Sequence, residues 1–241
     1  MQRIIPNWLV AKSIQAFTTT RFGGVSKTPW DSFNLGTNSG DIPENVMQNR
    51  SLLSASLPAE PYWLDQVHGA EVVNASHSPK TPQADASWSN QADTVCAVLT
   101  ADCLPVLLCT ANGSHFAAIH CGWRSLAAGV LENTIAAMGV AAEELLTWFG
   151  PAISAKNYEV GEQLYSAFVD VNPSDNSAFT ATRKGHWQAD LIHLARLRLQ
   201  RLGVNRFYGG RWCTHADKQF YSYRRDAVSG RMVSLIYRVE R

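Results

Sequence analysis

Short apolar runs broken by glycine, proline and asparagine corners alternate along this chain with stretches of helical period. Ser13 to Thr20 reads as a first strand and runs into the turn Arg21-Phe22-Gly23-Gly24-Val25-Ser26. Asp41-Ile42-Pro43-Glu44 predicts a helix start: Asp41 can cap, proline is tolerated in the first turn, and the helix runs to about Ser54. Tyr62 to Val67 and Thr94 to Thr100 read as strands. Val106 to Cys109 and Phe116 to His120 form two more around the Asn112-Gly113 turn. From Arg124 the period lengthens. Ala127, Val130, Leu131, Thr134 and Met138 recur at helical spacing, with Gly139 as the stop. Further helices are expected over Glu162 to Asp170 and about Ala189 to Leu202, the second with Leu191, Ile192, Ala195, Leu199 and Leu202 on one side. Short strands follow around Phe207 and from Met232 to Val239.

Ser76 to Asn90, with Pro79, Pro82 and several serines, is expected as a long surface loop. Strands and helices intersperse without strict βαβ alternation, so the fold class is α+β, a mixed sandwich rather than a doubly wound parallel sheet. A chain of 241 residues without repeat or linker is expected to form a single domain, 1–241. A composition 46% hydrophobic and 17% charged is ordinary for a soluble globular enzyme. The net charge of +1 provides no global field for nucleic acid or anionic membrane, so anion binding must be local. Five cysteines, an odd number, with Cys96 and Cys109 inside apolar runs, fit buried thiols in a reducing cytoplasm. The stretch Met1 to Val10, broken by Pro6 and Asn7, does not read as a secretory signal, and no apolar run reaches membrane-spanning length. A cytoplasmic location is expected.

Three residues carry the chemistry. His68 in Gln66-Val67-His68-Gly69, Cys103 in Ala101-Asp102-Cys103-Leu104-Pro105 and His120 in Ile119-His120-Cys121-Gly122-Trp123-Arg124 each sit where an apolar run breaks into a corner. Two imidazoles and a thiolate suit zinc, and three protein ligands leave a fourth position for water or substrate. Against this, a single histidine is more often an ordinary polar residue, and a cysteine a buried structural thiol. Arg124 and the backbone amides beside it would form an anion pocket, or Arg124 is a surface residue paired with a carboxylate. Arg21 is a second anion anchor or a plain loop charge. Asp85 and Asp102 are candidate acid/base groups or carboxylates supporting the metal ligands. Cys213-Thr214-His215 offers a rival Cys/His pair. His77 and His115 read as solvent-facing, and Lys184, His186 and Asp190 as a helix opening in which Asp190 caps. Phe220-Tyr221-Ser222-Tyr223-Arg224-Arg225 would stack a base and hold phosphate, or form a strand on the core.

Several ordered segments together resemble the laccase-domain family, also called YfiH-type or multicopper polyphenol oxidase proteins. They are Thr20 to Ser26, Phe33-Asn34-Leu35-Gly36, Asn49-Arg50, Gln66 to Gly69, Ala84-Asp85-Ala86, Thr100 to Pro105, His120 to Arg124, Gly150 to Ile153, Tyr158 to Gly161, Cys213-Thr214 and Phe220 to Arg225. The resemblance implies an α/β/β/α sandwich and a zinc site at His68, Cys103 and His120, with Arg124 as a further catalytic residue. It also implies purine nucleoside phosphorolysis on adenosine, inosine, guanosine or methylthioadenosine, with adenosine deamination at the same site. Arg21, Asn34, Asp85 and Tyr223 are then expected at the substrate or phosphate. The expected partners are nucleosides and phosphate, not nucleic acid or membrane, and a monomer is expected. Cys121 and Ser125 depart from the family's usual Ala and Gly; Cys121 either packs as a small apolar residue or alters metal preference.

Other readings compete. Cys103 with His68 or His120 would also serve a metal-free hydrolase. Relatives have been linked to editing of cell-wall precursors by amide cleavage of a muramyl nucleotide. Copper-dependent phenol oxidation ranks lower, because the chain lacks clustered His-x-His pairs.

Overall fold

Strands with two apolar faces must be covered on both sides, and the most apolar runs of this chain lie in the middle of a layered stack. The computed structural model describes residues 1–78 and 81–240. The strands are β1 (Arg3–Ile4), β2 (Ile14–Thr19), β3 (Pro61–Tyr62), β4 (Val72–Asn74), β5 (Ala86–Ser89), β6 (Val95–Thr100) and β7 (Leu104–Thr110). They continue as β8 (Phe116–Cys121), β9 (Leu145–Phe149), β10 (Glu159–Gly161), β11 (Phe179–Arg183), β12 (His186–Ala189), β13 (Arg206–Gly209) and β14 (Met232–Arg238). The α-helices are α1 (Pro43–Ser54), α2 (Trp123–Ala127), α3 (Val130–Met138), α4 (Glu162–Val169), α5 (Leu191–Arg201) and α6 (Tyr223–Asp226).

One sheet has the order β1-β2-β14-β6-β3 and the other β13-β9-β7-β8-β5-β4, each mixing parallel and antiparallel pairs. A small third sheet has the order β10-β12-β11. Alternation sorts the side chains. Cys96 and Val98 of β6, Leu107 and Cys109 of β7, Phe116 and Ala118 of β8, and Trp148 of β9 meet between the two large sheets. Val95, Ala97, Val233 and Leu235 face the other way, onto Leu53 of α1. Val106, Ile119 and Phe149 pack under Leu131, Phe168 and Leu194 of α3, α4 and α5. The layers therefore run helix, sheet, sheet, helices, the α/β/β/α sandwich that the resemblance implies.

Several elements differ from the sequence expectation. The strand expected to reach Val67 ends at Tyr62, and beyond it only an isolated bridge joins Asp65 to Gln83. Ser76 to Asn90 is not a surface loop throughout: β5 lies inside the larger sheet between β4 and β8, with Ala86 and Ser87 fully buried (Pro79 falls outside the described residues). The helix expected from Arg124 is broken at Gly129, whose φ of 92° only glycine adopts readily. Asp41 does not cap α1, because its carboxylate accepts from Ile42 N and Asn34 Nδ2. His186 opens β12 rather than a helix, whereas Asp190 does cap α5, accepting from His193 N at 2.9 Å. No described helix is long and apolar enough to cross a membrane.

Candidate metal centre and its cleft

The period of β8 directs its side chains. Phe116, Ala118 and His120 share the face between the sheets, and Ala117, Ile119 and Cys121 face the helices. His120 thus stands at the end of the inter-sheet core, 3% exposed. Cys121 is fully buried among the helix-facing residues, with its thiol raised well above its usual range by burial, so it packs as a small apolar residue. Cys103 sits in the short turn by which the chain crosses from β6 in one sheet to β7 in the other. His68 belongs to the irregular segment between β3 and β4. It and Asp102 adopt left-handed φ values of 61° and 80°, uncommon for residues with a side chain.

These segments bring a ligand-type atom of His68, Cys103 and His120 within 4.8 Å of one another. Cys103 Sγ lies 3.9 Å from His68 Nε2, and the two imidazoles meet edge to face with centroids 4.7 Å apart. Donors about 2.0–2.3 Å from a tetrahedral ion are about 3.5 Å apart, so small rotations would close this group on zinc. Gly122 makes the room. A Cβ there would stand 2.9 Å from His68 Cδ2, 3.3 Å from Cys103 Sγ and 3.5 Å from His120 Cε1. The residues fit a metal of the N/S-seeking kind. Among the described residues no other such group occurs. Cys213, the rival, instead accepts hydrogen bonds from Ser154 N and Oγ and from Asn157 Nδ2, and lies outside the group.

One carboxylate orients two of the three ligands. Asp85 is fully buried; its Oδ1 accepts from His120 Nδ1 at 2.7 Å and from His68 N at 3.1 Å. Its Oδ2 accepts from Gly69 N and Val67 N. Burial would raise this acid, but the bonds from His120, Gly69 and Val67 outweigh it and hold the carboxyl below its ordinary value. Burial likewise opposes charge on Cys103 and His120. The adjacent imidazoles nevertheless bring the thiol down to about 6, while the thiolate and Asp85 push His120 up to about 9. Without an ion, both shifts favour the thiolate and imidazolium forms of the pair.

The group opens into a cleft of about 750 Å³ whose walls include Arg50, Trp63, Leu99, Tyr223 and Arg231. Tyr223 is 59% exposed at the first position of α6. Of the Phe220–Arg225 segment, Phe220 and Tyr221 are core residues, Ser222 caps the helix and the last three residues are helical, so it is not a strand. Arg231 is anchored by Nη1 bonds to the carbonyls of Ser229 and Gly230, and its N–H donates to Asn34 Oδ1. Arg50 donates Nε–H to Leu35 O and lies over the Trp63 ring at 3.9 Å. Burial lowers both guanidinium groups somewhat, and neither forms an ion pair among the described residues.

The structure thus brings together His68, Cys103, His120, Asp85 and Tyr223. It places three other expected residues outside the cleft lining. Arg21 pairs with Asp31 at 3.2 Å and stacks on Tyr221. Asn34 is fully buried and committed to Ser39, Asp41, Gly36 and Arg231. Arg124 is exposed on α2, over the ring of Trp123. His115 is not solitary but stacks on Trp88. The sequence carries no signal for the two cleft arginines, since nothing local separates Arg50 from a helix-surface charge or Arg231 from a turn residue.

Known proteins are similar to this chain over nearly its whole length. A Shigella flexneri protein named purine nucleoside phosphorylase YfiH is 46% identical over 238 residues, 97% of this chain and 98% of that one. A Pseudomonas aeruginosa protein also named purine nucleoside phosphorylase is 46% identical over 236 residues, 97% of each chain. Among solved structures, Neisseria meningitidis protein NMB0706 superposes with a TM-score of 0.96 at 45% identity, covering both chains completely. YlmD from Geobacillus stearothermophilus gives 0.88 at 27% identity over 95% of this chain and 93% of that one. The family model described as multi-copper polyphenol oxidoreductase laccase matches residues 15–239, and the chain belongs to that family.

Proposed function

We propose that this protein is a zinc-dependent purine nucleoside phosphorylase acting in the cytoplasm as a monomer on adenosine, inosine, guanosine or methylthioadenosine. The observation that carries the reading is one cleft with a His-Cys-His group and, in its walls, two arginines that form no ion pair among the described residues. The names of the 46%-identical relatives agree with it.

Phosphorolysis forms a bond from a phosphate oxygen to C1′ while the C1′–N9 bond breaks and the purine leaves with its electron pair and takes up a proton. Phosphate must therefore be held beside the ribose without being neutralised by a protein carboxylate. Arg231, anchored through Nη1, and Arg50, anchored through Nε, present fixed guanidinium groups for that purpose. Trp63 and Leu99 offer apolar wall to the base, and Tyr223 stands at the mouth. Zinc, when bound by His68, Cys103 and His120, would supply a Lewis acid at the cleft base. Asp85 fixes the His120 ring through Nδ1, which would leave Nε2 as the ligand atom.

The test is product analysis with inosine and phosphate, expected to yield hypoxanthine and ribose 1-phosphate. Arg231→Ala should raise KM for phosphate roughly 10- to 100-fold, the loss of a charge-assisted contact, with zinc content unchanged. Unaltered phosphate KM would remove Arg231 from the site. Inosine formed from adenosine without phosphate would identify deamination by the same group. A second reading is favoured by the thiolate–imidazolium pair itself: Cys103 as nucleophile in a metal-free hydrolase, with amide-linked cell-wall precursors as substrates. Chelation separates the two, since only the zinc enzyme loses activity and regains it with added zinc.

A further inference from the structure

Asp102 precedes Cys103 and is 8% exposed, yet its carboxylate turns away from the His-Cys-His group. Oδ2 accepts from the backbone N of Arg224 at 2.7 Å, and Oδ1 accepts from Thr214 Oγ1 at 2.5 Å. The carbonyl of the same residue accepts from Ile153 N at 2.9 Å. A single residue thus ties the β6–β7 turn to three segments distant in sequence. Arg224 is the second residue of α6, whose opening amides have no intrahelical partner. Ser222 Oγ takes the amide of Arg225, and Asp102 takes that of Arg224 from across the cleft end. Arg225 closes the arrangement by donating to the carbonyls of Thr214, His215 and Phe220.

From this geometry we propose that Asp102 is a positioning residue: a remote cap that fixes Tyr223 on α6 relative to Cys103, so that the two cleft walls move as one. Its left-handed φ of 80° serves the same end. Asp tolerates that conformation better than most residues, and there the following residue, Cys103, is turned toward His68 while the Asp102 side chain goes to α6. This deepens the proposed function, since it rests on Cys103 as a ligand and Tyr223 as a wall of the one substrate cleft.

The chemistry of the two bonds supplies the test. An asparagine can place its carbonyl against Arg224 N and its NH2 against Thr214 Oγ1, because a hydroxyl accepts as well as donates. Asp102→Asn should therefore keep the clamp and lose only the charge, whereas Asp102→Ala loses both bonds. Two measurements are made on the zinc-loaded protein. Hydrogen exchange over residues 222–227 should accelerate in Asp102→Ala and stay near wild type in Asp102→Asn. The kcat/KM for inosine should fall about 100-fold in Asp102→Ala, as expected for an ångström-scale displacement, and stay within about fivefold in Asp102→Asn. Adding Tyr223→Ala to Asp102→Ala should cost little more.

Unchanged exchange in Asp102→Ala would overturn the clamp. An Asp102→Asn variant as inactive as Asp102→Ala, with exchange preserved, would overturn positioning in favour of a carboxylate acting on the substrate. If the wild type phosphorolyses no purine nucleoside, the functional reading fails, and the exchange measurement still decides the clamp.

Discussion

Because Asp85 holds a proton on His120 Nδ1, the imidazole beside Cys103 is biased toward its charged form, and Asp85 reaches the thiol only through this shared imidazole. The sign follows. With the thiol lowered to about 6, the metal-free protein should carry a thiolate above that pH and a thiol below it. Its alkylation by iodoacetamide should remain fast down to about pH 6, whereas an ordinary cysteine slows below about 8.5. Asp85→Asn removes the carboxylate that favours the imidazolium, so the Cys103 profile should move to higher pH. The measurement is the rate of Cys103 modification by mass spectrometry across pH in both proteins. Coincident profiles would show that Asp85 does not act through His120.

At the scale of elements, Gly122 joins the end of β8 to α2 with φ −62° and ψ 155°, values open to any residue. Gly122→Ala should therefore cost little backbone strain, yet its Cβ would crowd His68 Cδ2 at 2.9 Å. The expected outcome is at least a tenfold loss of zinc affinity, about 1.4 kcal/mol, with helix content kept. Competitive zinc titration and circular dichroism check it.

Legibility varied among the elements for physical reasons. The β6, β7 and β8 runs were readable because both faces are apolar, and the ends of β6 and β8 located Cys103 and His120. Ala86-Ser87-Trp88-Ser89 was not, because buried serines mimic a loop when a sheet, rather than composition, buries them. The α2–α3 break was hidden because apolar spacing continues across Gly129. His68 was found as a residue type, but its convergence with the others depends on Asp85 gathering the 67–69 amides, a tertiary fact. Arg50 and Arg231 face the cleft only after α1 and the Ser229–Arg231 turn have packed, so no local pattern announced them.

For the molecule as a whole, the ligand group lies at a seam. Cys103 is on the chain crossing between the two large sheets, His120 is the penultimate residue of a strand of one, and His68 lies in the segment leading from β3 of the other to β4. An ion held there joins both sheets and the intervening loop, and the unfolded chain, with its ligands scattered across residues 68 to 120, holds it far less well. Zinc should then stabilise by mass action: about 2.7 kcal/mol at a free concentration one hundred times Kd. For a chain of this length that corresponds to roughly 5–10 °C in Tm. Thermal unfolding should shift down on chelation, recover with added zinc, and rise with the logarithm of zinc concentration. His120→Ala should unfold at one temperature regardless of zinc, because two remaining donors bind too weakly to couple the sheets. A wild-type Tm indifferent to chelator and zinc would mean that these three side chains hold no ion, and Cys103 would then have to be considered as a nucleophile in its own right.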